Sequence, residues 1–160
     1  MIEKYWGYFI VIVFVGMVSC DGKKAQEDLP ILGRQKLIER TENGKTYYDT
    51  LNHKIADFTF FNQDSVLITN ESYKGKIYVA DFFFTSCPTI CPSMKKQMLR
   101  IYNEFESNDQ VGILSHTIDP KYDNVTVLKE YADRLEVNGS KWNLVTGDLD
   151  EIYTIGEESY

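Results

Sequence analysis

The chain predicts an α/β fold built on a parallel sheet, and three observations lead there. From residue 77 onward, short apolar stretches alternate with amphipathic ones, the order that produces parallel strands joined by helices. The segments 77–84 and 111–118 are near-continuous apolar runs, as expected of strands buried on both faces. Between and after them, apolar residues recur at helical spacing: Met94, Met98, Ile101 or Tyr102 and Phe105, then Val127 or Leu128, Tyr131, Ala132 and Leu135. At 160 residues and 43% apolar content, the chain suffices for one domain core plus an N-terminal appendage.

That appendage comes first. Lys4 precedes an apolar run over 5–18, and Ser19-Cys20 follows. The run is short for a membrane span and suits the apolar region of a signal peptide. Small Ser19 before Cys20 resembles a bacterial lipoprotein cleavage site, although Met17 stands where leucine is the norm. The expected division is a signal peptide at 1–19, a lipidated tether at 20–35 beginning with acylated Cys20, and a folded domain over 36–160. An uncleaved anchor is the other reading. Either one puts the domain outside the cytoplasm and on a membrane, in a bacterial cell envelope. Lipidation of Cys20 also accounts for the odd cysteine of three.

The domain then reads element by element. Two β-like runs over 36–50 flank Asn43-Gly44, the preferred pair for a type I′ hairpin turn. A second hairpin is expected from 57–61 and 66–68 around the turn residues 62–65. A connector at 73–76 leads into the 77–84 strand. A helix follows from Pro92, since proline is tolerated only in a helix's first turn. The 111–118 strand, a helix over 125–137 stopped by Asn138-Gly139, a short strand at 142–145 and a last helix from near Asp148 complete the order. The net charge of −7 argues against nucleic acid as a partner, because a basic patch is the footprint of such binding.

The chemistry concentrates where the 77–84 strand ends. Cys87 and Cys91 lie four positions apart at a strand-to-helix junction, by the positive end of a helix dipole. That location lowers a thiol pKa and favours the thiolate. Three roles stay open for the pair: a soft metal site for Cu(I) or Zn, a dithiol that cycles with its disulfide, or a structural staple. A staple closing so short a loop would stabilise weakly.

Asp81-Phe-Phe-Phe-Thr-Ser-Cys87-Pro-Thr-Ile-Cys91-Pro, followed by Ile118-Asp119-Pro120-Lys-Tyr-Asp123, closely resembles the Sco/SenC family from about Ile55 to the chain end. The resemblance implies a thioredoxin-like fold, here with N-terminal β-hairpin additions and lacking the C-terminal strands. It implies a copper chaperone for cytochrome c oxidase assembly, with Cys87 and Cys91 as Cu(I) ligands, Cu(II) as a second accessible state, and the same cysteines as a redox-active disulfide. The implied partners are the copper-centre subunit of the oxidase and other copper chaperones or thiol reductases. The family's third ligand is a histidine on a later strand, and no residue here matches it, so that ligand is expected beyond Tyr160. The different-class alternatives are a membrane-tethered thiol-disulfide oxidoreductase and a peroxiredoxin-like reductase without copper. With such a topology the 77–84 strand is left at an open apolar edge, an aggregation hazard, and residues 21–160 alone are expected to be poorly soluble.

Other candidates take lesser roles. Sites in open α/β sheets lie at the carboxyl ends of strands, which places His116, Asp119 and Asp123 in the neighbourhood of the thiols. His116 is nonetheless expected to be a strand residue with a satisfied hydrogen bond, and His53 to be solvated. Met94 and Met98 are expected in the core. Asp119 and Asp123 are expected to shape their loop through Asx-type turns. Phe82 to Phe84 are expected to give the thiol pocket an apolar floor.

Overall fold

Local sequence signals set most element boundaries. The structure is a computed structural model and describes Pro30, Leu32, Gly33 and residues 35–160. The expected signal peptide and most of the tether, Cys20 included, lie outside the described residues. The first hairpin joins β1 (Lys36–Glu42) to β2 (Lys45–Leu51) in antiparallel register. Its turn has positive φ at both Asn43 and Gly44, which is the type I′ geometry. Every residue of this ribbon is exposed, Leu37 and Tyr48 by 73% and 70%.

The second hairpin is β3 (Thr59–Asn62) and β4 (Leu67–Thr69). A single 3₁₀ turn at Asn70–Tyr73 follows, where only a connector is expected from the sequence. Next come β5 (Ile77–Phe83), α1 (Cys91–Glu104), β6 (Val111–Thr117), α2 (Val125–Leu135), β7 (Trp142–Thr146) and α3 (Leu149–Ser159). Asn124 caps α2 by accepting from the Val127 amide, and Asp148 caps α3 by accepting from the amides of Asp150 and Glu151. The α2 helix ends two residues before the expected stop. Glu136 takes the left-handed conformation at φ 57° and closes the helix in place of Asn138-Gly139.

Five strands form one sheet in the order β4-β3-β7-β6-β5. β5, β6 and β7 run parallel, and β3 is antiparallel to both β4 and β7. The β3–β7 ladder covers only two residue pairs. The Gln63 side chain extends it, donating to Trp142 O at 2.8 Å and accepting from Leu144 N at 2.8 Å. β5 pairs only with β6. Among the described residues it therefore lies at the sheet edge, the open edge expected from the sequence, and Ile77 at its start is 67% exposed.

Both crossover helices cover one face of the sheet. Met98 and Tyr102 of α1 and Leu128, Tyr131 and Ala132 of α2 pack with Phe83, Ile113, Trp142 and Leu144. This is the arrangement successive right-handed crossovers produce when they step across a sheet in one direction. The other face carries α3, with Ile152 and Ile155 against Phe58, Phe60, Leu114 and Val145. Period-two alternation in β6 decides which side chain goes where. Ile113 belongs to the first core and Leu114 to the second.

Candidate functional site

Helix α1 begins at Cys91, with Ile90 as its N-cap and Pro92 in the first turn, as the position of that proline requires. Cys87 sits in the preceding loop, where its amide donates to Phe84 O at 3.2 Å. Both residues are free thiols; Cys91 is buried and Cys87 is partly exposed. Their environments drive them apart. The Cys91 thiol, the Cys91 backbone amide and the Thr89 amide donate to the Cys87 sulfur, and its pKa falls to about 6. Burial, followed by the same thiol-thiol hydrogen bond, raises Cys91 above the ordinary thiol range. At neutral pH the pair is an accessible thiolate leaning on a buried thiol, the division of labour that thiol exchange and soft-metal capture both use.

Below Cys91 the site is polar where an apolar floor is expected. Asp81, on β5, accepts a hydrogen bond from the Ser115 hydroxyl, and Trp142 Nε1 donates to Ser115 Oγ at 2.8 Å. Burial raises the Asp81 carboxyl, and the Ser115 bond partly offsets that rise. Asp81, Ser115, Trp142 and Tyr131 line a narrow cleft with Cys91 that leaves about 10 Å³ of open space, the room of one water at most. Asp81 contributes to the upward shift at Cys91. Phe83 does pack with Cys91, whereas Phe82 lies on the other sheet face with His116. A carboxylate inside an otherwise apolar strand was the available signal for this network, together with the alternation that puts Ser115 on the thiol side.

The loop carrying Cys87 is fixed from β6 and the turn after it. Asp123 is fully buried. It accepts from Thr85 N at 3.0 Å, from Thr85 Oγ1 at 2.5 Å and from Thr117 Oγ1 at 2.5 Å. The expectation of a local Asx turn is thus corrected: Asp123 spans 38 residues to hold the segment two positions before Cys87. Asp119 acts locally through its backbone carbonyl, which accepts from the amides of Tyr122 and Asp123, rather than through the side chain an Asx turn uses.

The two histidines both depart from expectation. His116 is fully buried on the sheet face away from the thiols, among the rings of Phe58, Phe60, Phe82 and Tyr160 at centroid distances of 5.2–6.0 Å. Neither ring nitrogen has a hydrogen-bond partner among the described residues. One residue of strand parity separates Ser115 on the thiol side from His116 on the far side. His53 is half-buried, not solvated, and its Nε2 lies 2.9 Å from Ser159 O. Met98 is buried as expected, and Met94 is half-buried beside Cys91. Among the described residues, no three His, Cys, Asp or Glu side chains converge as a metal cage.

Comparison with known proteins agrees with this geometry. The SCO1/SenC family model matches residues 47–160. The SCO1 protein homolog of Bacillus subtilis is 37% identical over 105 residues, which is 65% of this chain and 54% of that protein. The chain spans about half the length of that relative. The solved structure of BsSco, a member of the Sco family of cytochrome c oxidase assembly proteins, superposes with TM-score 0.61 at 35% identity, covering 69% of this chain and 65% of that one. A SCO1/SenC family lipoprotein from Bacillus anthracis gives 0.62 at 34% identity, covering 68% and 66%. Yeast Sco1 with copper bound gives 0.54 at 27% identity, covering 64% and 65%. With its thioredoxin-like α/β fold and its paired thiols at the end of β5, the chain belongs to the SCO1/SenC family.

Proposed function

We propose that this chain handles copper for the assembly of cytochrome c oxidase. Cys87 and Cys91 take Cu(I) as cargo and pass copper, or reducing equivalents, to the oxidase subunit that carries a copper centre. Other copper chaperones or thiol reductases supply the metal or keep the thiols reduced. The observation that carries this reading is the thiol pair itself. One sulfur is thiolate at neutral pH and reachable, and the second is in hydrogen-bond contact with it. Two adjacent soft donors suit Cu(I). The described residues contribute these two sulfurs and no further cluster. Copper in a solved Sco relative supports the same assignment.

The test is a Cu(I) competition titration against a chromogenic chelator. The wild-type chain is expected to hold one Cu(I). Cys87→Ser and Cys91→Ser are each expected to weaken binding by more than about 100-fold, since even changes outside the ligand set cost about 10–100-fold. Unchanged stoichiometry and affinity in both variants would overturn the assignment. Thiol-disulfide exchange without copper is the second reading, favoured by the opposed shifts at Cys87 and Cys91. It predicts that redox cycling survives while copper affinity stays weak in the wild type.

The placement of the domain is part of the proposal. Residues 1–19 act as a signal peptide and Cys20 as the acylated first residue of a membrane tether, with the domain outside the cytoplasm in the cell envelope. A lipoprotein among the relatives supports this. Mass spectrometry of the membrane-extracted protein is expected to find acylated Cys20 and no residues 1–19. An intact Met1 there would instead identify an uncleaved anchor.

A further inference from the structure

The chain carries a net charge of −7, yet α1 and α3, on opposite sheet faces, differ in charge, while α2 beside α1 is balanced by Lys129, Glu130, Asp133 and Arg134. Helix α3, on the face away from the thiols, holds Asp150, Glu151, Glu157 and Glu158 and no cation. Helix α1, which starts at Cys91 on the other face, holds Lys95, Lys96 and Arg100 against the single Glu104. The α1 cations are not consumed by carboxylates. Arg100 Nη1 donates to the neutral Gln97 amide oxygen at 2.7 Å. Lys95 Nζ lies 5.2 Å from the centroid of the Tyr131 ring. The Arg134 guanidinium lies 5.5 Å from the same ring. None of Lys95, Lys96, Arg100 and Arg134 forms an ion pair among the described residues. Two like charges converging on one tyrosine beside the Cys91 cleft repel each other unless an external anion approaches.

The same face is built for close contact at the sulfur. Ile90, between the two cysteines, is 64% exposed beside the partly exposed Cys87. An apolar tip next to a reactive atom, on the end of a helix that carries unpaired cations, has the layout of an interface: a dry centre with charged groups that steer the approach. We infer that the thiol face of this domain docks an acidic protein surface, with Ile90 at the centre of the contact and Lys96 and Arg100 of α1 on its rim. This rests on the reading of Cys87 as the reactive thiol and names the partner's chemistry. An acidic protein is favoured over an anionic membrane because the thiol at the centre of the face has a reaction partner only in another protein.

Thiol exchange tests the inference without copper. Two disulfide peptides of equal length are offered, one with aspartates flanking its cystine and one with lysines. In each case the Cys87 thiolate attacks one peptide sulfur, the peptide S–S bond breaks, a mixed disulfide forms on Cys87, and the other peptide half leaves as thiolate. The acidic peptide is expected to react about tenfold faster in low salt, and the gap is expected to close in 0.5 M salt as screening shortens the reach of the charges. Lys96→Glu/Arg100→Glu is expected to abolish or reverse the preference, while alkylation of Cys87 by neutral iodoacetamide stays within about twofold. Equal rates for both peptides with the wild-type chain would overturn the inference. So would a preference that survives the double variant, or a lack of peptide preference with charge-dependent binding to phosphatidylglycerol vesicles. Failure of Cys87 to react with iodoacetamide would instead refute the reactive-thiol reading beneath it.

Discussion

Asp123→Ala is expected to destabilise the domain by about 3 kcal/mol or more and to disarm Cys87 in the same step. The carboxylate is fully buried and receives three hydrogen bonds, two from Thr85 and one from Thr117. Removing it strands one fully buried donor, on Thr117, and two part-buried ones, on Thr85, and a buried donor left without a partner costs about 1–3 kcal/mol. Two of them belong to the residue that sets the path of the loop into Cys87. Released, the loop no longer keeps the Cys87 sulfur within reach of the Cys91 thiol and the Cys91 and Thr89 amides that lower its pKa to about 6. The midpoint of the pH profile for Cys87 alkylation should move from near 6 toward the ordinary thiol value, measured alongside chemical denaturation. Asp123→Asn separates the two effects, because it keeps the volume and part of the hydrogen bonding. A normal midpoint near 6 in Asp123→Ala would show that the loop holds itself.

The pH dependence of stability gives the second large effect. Burial holds the His116 imidazole neutral and lowers its pKa from 6.5 to about 4. The folded state therefore binds this proton more weakly than the unfolded chain. Stability from this residue is fully present above pH 6.5 and falls as the pH drops from 6.5 to 4, by about 3 kcal/mol in all. The groups facing the ring are Phe58, Phe60, Phe82 and Tyr160, and none of them supplies a carboxylate to rescue the cation. His116→Phe removes two unpartnered ring nitrogens at nearly constant volume. It should raise stability at pH 7 by about 1–3 kcal/mol and flatten the loss between pH 7 and 4.5. Equal acid sensitivity in the variant and the wild type would assign the acid lability to other groups.

How far local reading reaches is visible in these same residues. The order of strands and helices, the type I′ turn at Asn43-Gly44 and the start of α1 at Cys91 are all set within a few residues of chain. They depend on apolar period, on φ preference and on where proline is tolerated. The pairing of the two thiols with a helix end is equally local, and the Cys-Pro-Thr-Ile-Cys-Pro motif carries the family with it. The site around those thiols is a different matter. Asp81 stands six residues before Cys87, but its partner Ser115, and Trp142 that donates to Ser115, come from two other strands. Asp123 reads as a turn residue and serves as a clamp because the crossover through α1 returns β6 beside β5.

His116 marks the limit most sharply. Its position near the carboxyl end of a strand was correct, yet closeness along the strand says nothing about which face a side chain takes. Parity in β6 sends Ser115 to the thiols and His116 into an aromatic box on the opposite side. By itself, then, the sequence determined the α/β order, the family and the two sulfurs, because each is encoded in contiguous residues. Only the tertiary structure decided which sulfur is thiolate, what holds its loop, where the buried histidine goes and that α1 and α3, with their unlike charges, lie on opposite faces. Those outcomes depend on strands whose paired residues lie 29 and 34 positions apart in the chain, where a one-residue change of register exchanges the two faces of the sheet.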